Sequence, residues 1–358
     1  MAEIVVVTGA ASPVGRRVVA ALLARPEVKR VVAVGADPDP RRLASDPDDG
    51  PELLIAPFEL DDSRLVPLVA DATSLIHLGP RRGLDLDGTG GSDVDLSGTR
   101  MVLAMLARAA AIESVVVLSS ALVYGARADN PVPLTEECAV RPNPSIAAAV
   151  DRAELERLCR SWSRVNGVPC ATIRPAVVVG PDNGRWLARS PWSTTGLQVN
   201  AAAPVQFVHV DDLADAIVRV HGEAFDGPVN VAPDGWLTRA QVRALRGPTI
   251  RLRLERSLAL AFARLGARFG FAPGDPDTLV ALGAPWVVAN DRIRSFGWEP
   301  THSNEEAYVD SDRGGWWARM TPRHRQELAL GVGVTALVGA AVGTAIVVRR
   351  RLRANRSA

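Results

Sequence analysis

The stretch EIVVVTGAASPVGRRVVAALLAR, Glu3 to Arg25, decides the fold. Four consecutive apolar residues, Ile4 to Val7, have the length and β-branched content of a strand buried on both faces. TGAASPVG follows, Thr8 to Gly15, and then RRVVAALLAR, an amphipathic helical pattern ended by Pro26. Ser12 is a good helix N-cap and Pro13 fits the first helical position. Gly9 allows a tight turn, and Gly15 permits close helix–strand packing. Strand, glycine turn and helix N-terminus together form a setting that attracts phosphate, because free amides and the helix dipole point at it. Such turns carry a third, middle glycine; Ser12 stands there and narrows the approach, while its hydroxyl can donate to a phosphate oxygen.

Outward from this unit the alternation continues. RVVAVG (30–35), PELLIAPF (51–58), TSLIHLG (73–79), SVVVLSS (114–120) and PCATIRPAVVVG (169–180) read as strands. DSRLVPLVAD (62–71), SGTRMVLAMLARAA (97–110) and AAVDRAELERLCRSWSRV (148–165) read as helices between them. Strands alternating with helices predict an α/β fold with a parallel sheet covered on both faces. QFVHVDDLADAIVRVH (206–221) predicts a strand and a helix capped by Asp211 or Asp212, GPVNVAP (227–233) a further strand, and ERSLALAFARLGARFGF (255–271) a basic amphipathic helix. The expected organisation is an α/β domain over 1–175, a smaller C-terminal lobe over 176–310, a linker over 311–327, an apolar helix over 328–348 and a basic tail over 349–358.

Composition narrows the function. The net charge of +1 over 358 residues provides no global field for nucleic acid. Of 41 basic residues only Lys29 is lysine, so lysine chemistry is nearly excluded. Cys138, Cys159 and Cys170 are odd in number and lack C-x-x-C spacing, which fits a reducing compartment. The five histidines are scattered and make no metal-ligand pattern.

TGAASPVG, SLIHLG, VVLSSALVYG, IRPAVVVGP and VQFVHVDDLADAI occur in this order, and from residue 4 to about 300 the chain resembles the extended short-chain dehydrogenase/reductases, the NAD-dependent epimerase/dehydratase family. The resemblance implies a Rossmann-type doubly wound parallel sheet, a bound NAD or NADP, and so a dinucleotide-binding domain over 1–175 and a smaller C-terminal substrate lobe over 176–310. It assigns the cofactor to Thr8, Gly9, Ser12, Pro13, Val14 and Gly15 at the phosphates, to Glu59 and Leu60 near the adenine, and to Gly79 where the backbone approaches the cofactor. NAD-binding relatives carry an acid at the position of Gly35; the nearest acid here is Asp37, and Arg41 and Arg42 suit a 2′-phosphate, so the choice between NAD and NADP stays open.

The chemistry the resemblance implies is missing. The family reaction uses a tyrosine as acid/base and a lysine four residues on, with a serine matched here by Ser120. Aligning Glu154 with the family's glutamate puts Ile146 at the tyrosine and Val150 at the lysine, and Asp95 at an asparagine. The only tyrosines are Tyr124 and Tyr308, so Y-x-x-x-K occurs nowhere. The expectation is a dinucleotide-binding protein with a degenerate site, a cofactor sensor or scaffold with a small-molecule or protein partner. The alternative is an active epimerase, dehydratase or reductase acting on a sugar nucleotide or lipid-linked substrate through Ser120, Asp95, Tyr124 or His209.

Leu328 to Val348 runs 21 residues without a charge, about 31 Å as a helix at ~1.5 Å per residue, and RRRLRANRSA follows. This predicts a transmembrane helix that anchors a cytoplasmic domain at the cell membrane. Gly339 and Gly343 make a G-x-x-x-G pair suited to a homodimer contact.

Overall fold

The computed structural model describes residues 3–35, 50–79, 94–109, 111–181, 203–246 and 284–311. Met1–Asp312 forms one compact unit. Among the described residues no helix is long and apolar enough to cross a membrane, and the 328–348 segment lies outside them, as do Asp37, Arg41, Arg42, the 255–271 helix pattern, the linker and the tail.

Strands β1 (Glu3–Thr8), β2 (Val28–Val34), β3 (Glu52–Ala56), β4 (Ser74–His77), β5 (Ser114–Leu118), β6 (Cys170–Pro175) and β9 (Gly227–Val231) form a seven-stranded sheet of order β3-β2-β1-β4-β5-β6-β9. Every pairing is parallel. The valine-rich strands are buried because both faces are covered. Val5, Val7, Val31, Ile76 and Val116 belong to one core cluster. Their neighbours Val6, Val32, Leu75, Val115 and Val117 belong to the other. Helix α1 (Pro13–Leu23) buries Val14, Val18, Val19, Leu22 and Leu23 in the first cluster, at helical spacing. It packs against α5 (Val210–Gly222) on that face. Helices α3 (Leu96–Leu106) and α4 (Ala147–Asn166) pack together and supply Val102, Leu103, Leu106, Leu155 and Cys159 to the second. A short 3-10 turn, Ser63–Leu65, leads into α2 (Val66–Val69) before β4.

Three expectations change on contact with the structure. The pattern 169–180 is two strands: β6 in the main sheet, and β7 (Val177–Val179), which pairs with β8 (Phe207–His209) in a separate two-stranded sheet. The strand at 227–231, expected in the smaller lobe, is the seventh strand of the main sheet, with Ile173 opposite Val229. Residues beyond 175 therefore complete the Rossmann sheet as well as covering it. Finally, α5 is capped by His209, whose Nδ1 accepts from Asp211 N at 3.3 Å. Asp211 and Asp212 sit in the first turn, where negative charge meets the helix dipole.

Among the described residues, the covering part includes α6 (Arg239–Arg246), α7 (Asp291–Ser295) and α8 (Asn304–Ser311). Gln206 ties it down, donating to Val288 O at 3.1 Å and accepting from Val288 N at 2.8 Å. Tyr308 of α8 packs on Phe207, with ring centres 5.1 Å apart.

Candidate functional site

The carboxyl edge of the sheet is where ligands bind in this architecture, at the point where strand order reverses. Here that point lies between β1 and β4. Gly9 follows β1 with φ of +69°, and a Cβ there would lie 2.6 Å from Gly79 O. A Cβ on Gly15 would lie 2.2 Å from Gly9 O. Both glycines are required by contact with backbone that cannot yield. Ser12 caps α1 as its type predicts, its Oγ accepting from Gly15 N at 2.9 Å, and Pro13 is the first helical residue. An accepting hydroxyl keeps its own hydrogen to donate outward. Val14 is buried beneath the turn and so acts through packing.

Beneath the turn lies a buried polar chain. Thr8 Oγ1 is 2.7 Å from His77 Nδ1, and His77 Nε2 is 3.0 Å from Thr99 Oγ1. Thr99 donates to Asp95 O at 2.6 Å. Its single hydrogen is thereby committed, so His77 Nε2 donates to Thr99 and Nδ1 accepts from Thr8. A neutral imidazole satisfies this arrangement. Burial, and then the charge of Arg152, lower the His77 pKa to about 4, against the opposing pull of Asp95.

On helix α4 the inward-facing residues are not the ones aligned through Glu154. Val150 is 39% exposed, whereas Arg152 is 3% exposed. The Arg152 guanidinium donates to Leu118 O at the end of β5, at 2.7 Å. It also lies 3.7 Å from where a Cβ on Gly79 would stand. Glu156, rather than Glu154, is the buried glutamate: it forms a two-contact ion pair with Arg174 of β6 and accepts from Ser119 Oγ at 2.6 Å. Glu154 is instead paired with Arg157 near the surface. Anchored on Glu156, the pair with tyrosine–lysine spacing is Ala148 and Arg152. Val150 points away from the sheet edge, and Ile146 is the buried N-cap of α4 with no side-chain cap bond. The sequence reading missed Arg152 because an arginine in a helix reads as a surface residue. The arginine in IRP, Arg174, was the available signal for which glutamate turns inward.

The other candidates divide. Ser120 sits at the end of β5, 8% exposed, and caps a short 3-10 turn by accepting from Leu122 N at 3.2 Å. Asp95 is exposed and caps α3, accepting from Gly98 N at 2.8 Å. Leu60 packs against Gly98, where a Cβ would come within 2.7 Å of it, and Glu59 is exposed next to it. Tyr124 is wholly buried; its hydroxyl donates to Asn230 Oδ1 at 2.9 Å and accepts from Arg174 at 2.8 Å. Burial, opposed by Arg174, pushes the Tyr124 phenol up to about 12. His209 is likewise committed: it caps α5, lies 3.1 Å from Asp310, and stacks on His302 with ring centres 3.8 Å apart.

The doubly wound parallel sheet, the glycine turn capped at a helix N-terminus and the cleared backbone at Gly79 define a Rossmann-type α/β protein with a nucleotide-type site. The family model for the NAD dependent epimerase/dehydratase family matches residues 5–232, and the chain belongs to that family. Among curated proteins it is 28% identical to y4nG of Sinorhizobium fredii over 262 residues, covering 66% of this chain and 64% of that one. It is 25% identical to Rv0501 of Mycobacterium tuberculosis over 336 residues, covering 90% of this chain and 87% of that one. The match thus spans less than two thirds of y4nG and most of Rv0501. Similar solved structures include a UDP-galactose 4-epimerase (TM-score 0.59, 19% identity, 86% of this chain and 97% of that one). A dTDP-glucose 4,6-dehydratase from Bacillus anthracis in complex with NAD matches at TM-score 0.61 and 16% identity, over 87% of this chain and 95% of that one. A UDP-glucose 4-epimerase from Thermotoga maritima with UDP-glucose matches at 0.64 and 14%, over 86% and 97%. At these identities the likeness is one of fold.

Proposed function

We propose that this chain binds NAD or NADP across the carboxyl edge of its sheet and lacks the family's tyrosine–lysine proton chemistry, acting as a cofactor-responsive sensor or scaffold. Its partner is a small molecule or a protein. The observation that carries this is Ala148, half-buried and four residues before Arg152 on α4, whose guanidinium reaches the end of β5. A methyl group transfers no proton, and a positioned acid/base supplies roughly 10²–10⁴ in rate. The glycines and the capped helix support binding, because they serve contact with a ligand or with backbone and need no acid/base. The neighbouring structure of a dehydratase in complex with NAD supports the choice of cofactor class. At Gly35, past β2, a Cβ would stand 3.7 Å from Ala10 N, so the turn and the end of β2 lie together. Bound there, NAD(P) would supply hydride chemistry, while Ser12 and the N-terminus of α1 hold phosphate and Gly79 admits the backbone.

The apolar run at 328–348 supports a membrane anchor, with the nucleotide domain facing the cytoplasmic cofactor pool, and Gly339 and Gly343 support pairing of two such helices. The competing reading, an active enzyme using Tyr124 or His209, gains nothing from their geometry, since both are buried and committed to structural partners. Mass spectrometry of the ligand released from the purified full-length protein tests the proposal. A retained NAD(H) or NADP(H) supports it and decides between the two. Turnover of a sugar nucleotide that Ser120→Ala abolishes would favour the enzyme reading instead.

A further inference from the structure

We infer that His209 and His302 form a two-step proton latch at the N-terminus of α5: a first proton fastens the loop ahead of α8, and a second uncaps α5. The two rings stack with centres 3.8 Å apart. Counting hydrogens fixes the state of each. His209 Nδ1 accepts the amide of Asp211 at 3.3 Å, so the ring hydrogen sits on Nε2, 3.1 Å from Asp310 Oδ2 on α8. Thr301 donates its one hydroxyl hydrogen to Asp212 Oδ1. His302 Nδ1 therefore carries a hydrogen, shared between Asp212 Oδ2 at 3.1 Å and Thr301 Oγ1 at 3.0 Å. The two neutral rings are opposite tautomers, and a further proton has a different effect on each.

The His302 side chain is 31% exposed, and its Nε2 makes no hydrogen bond among the described residues. A proton added there breaks nothing. It turns the bond to Asp212, a carboxylate 3% exposed, into a charge-assisted one. The His209 side chain is 2% exposed, and its open nitrogen is the helix cap. A proton there expels the Asp211 amide, sets a cation at the positive end of the helix dipole and faces the His302 ring in the stack. It also offers a donor to the Asp211 carboxylate, 3.4 Å away, in competition with Arg17 of α1. The charged groups facing the pair are thus Arg17 of α1, Asp211 and Asp212 of α5, and Glu306 and Asp310 of α8. Asp215 and Glu299 nearby in the chain are exposed, and β7, paired with β8, is three valines. The surplus of carboxylate draws protons to this seam, and the bonding sets their order. Imidazole changes charge between about pH 8 and about pH 5, so both steps fall in that range. The second step also loosens α5 from α1, whose Arg17 donates to Pro13 O in the phosphate turn.

Magnetic resonance of the purified full-length chain with its histidine ring nitrogens labelled reads the latch directly. At about pH 8 His209 is expected as the Nε2–H tautomer and His302 as the Nδ1–H tautomer. On acidification His302 takes its proton first. In His302→Asn, which keeps a donor for Asp212 and takes no proton, His209 protonates at a higher pH than in the wild type. Hydrogen exchange, compared between chains at the same pH, reads the consequence. His209→Asn keeps a capping oxygen and takes no proton. At about pH 8 the first-turn amides of α5 exchange alike in this variant and the wild type. At about pH 5 those of the wild type exchange roughly fivefold faster, the effect of one lost cap. Equal exchange at both pH values overturns the uncapping step. A His209 that titrates identically with and without the His302 ring overturns the coupling, and this readout decides alone if His209→Asn does not fold.

Discussion

Glu156 and Arg174 face each other in a buried two-contact ion pair, Nε to Oε1 at 2.9 Å and Nη2 to Oε2 at 2.6 Å. The pair locks α4 to β6 and so fixes which residues of α4 reach the sheet edge. Ser119 Oγ and the Tyr124 hydroxyl complete the hydrogen bonding around it. Burial alone would lower the Arg174 pKa, but the bonds and charge of Glu156 hold it above its ordinary value. Removing one partner leaves a buried charge alone, at a cost of about 3–5 kcal/mol. Glu156→Ala is therefore expected to destabilise the chain by about that amount, read as a lowered urea midpoint. Glu154→Ala, which breaks a surface pair worth about 0–1 kcal/mol, should barely move it. Equal effects would mean that Glu156 does not set the register.

Ser12 raises a separate question, whether it caps the helix or blocks the phosphate. Its bond to Gly15 N makes it a cap. Ser12→Ala should cost about 1 kcal/mol of stability and Ser12→Gly only a few tenths. Ser12→Gly should leave dinucleotide affinity intact or raise it. Gly15→Ala drives a methyl into Gly9 O and should abolish binding and lower the melting temperature. Dinucleotide binding by Gly15→Ala at wild-type affinity would rule out the turn geometry described here.

A phenol introduced by Ala148→Tyr would lie one helical turn from Arg152, on the same face. The guanidinium favours phenolate, so its pKa should fall below the ordinary value of about 10. A phenol introduced by Val150→Tyr, at an exposed position, should titrate near about 10. Ultraviolet titration of the two variants reads the difference, and native Tyr124 titrates well above that range. A lowered value for the Val150→Tyr phenol instead would restore the alignment on Glu154.

His77 predicts acid sensitivity. Its folded pKa is about 4, against an ordinary value of 6.5 in the unfolded chain. Between these values the unfolded state binds the proton and the folded state does not, so stability rises with pH across this window and falls on acidification. The loss accumulates from pH ~6.5 down to ~4 and reaches about 3 kcal/mol. Urea melts at several pH values should show this slope, and His77→Gln should flatten it. An unchanged slope in His77→Gln would place the acid-sensitive group elsewhere.

The phosphate turn was legible because it is local: Gly9, Ser12, Pro13 and Gly15 each impose their geometry within a few residues. The strands from Ile4 to Pro175 were legible because valine-rich runs between helices allow few other readings. Two features depend on distant contacts. The strand at 227–231 looks the same in a lobe as in the main sheet until β6 is seen to lack any other outer neighbour. The register of α4 turns on two glutamates two residues apart, Glu154 and Glu156, and helical periodicity tolerates either. Arg174, eighteen residues beyond Glu156 and on a buried strand, pairs with Glu156. Arg152 was hidden for the same reason, since nothing local distinguishes a buried arginine from the many on the surface.

On the function proposed above, this fold keeps the cofactor and has lost the proton chemistry. Calorimetric titration of NADH and NADPH into the purified full-length protein tests it most directly. The expected result is saturable binding of one dinucleotide per chain by the wild type, lost in Gly15→Ala. No binding by the wild type at millimolar dinucleotide would contradict it.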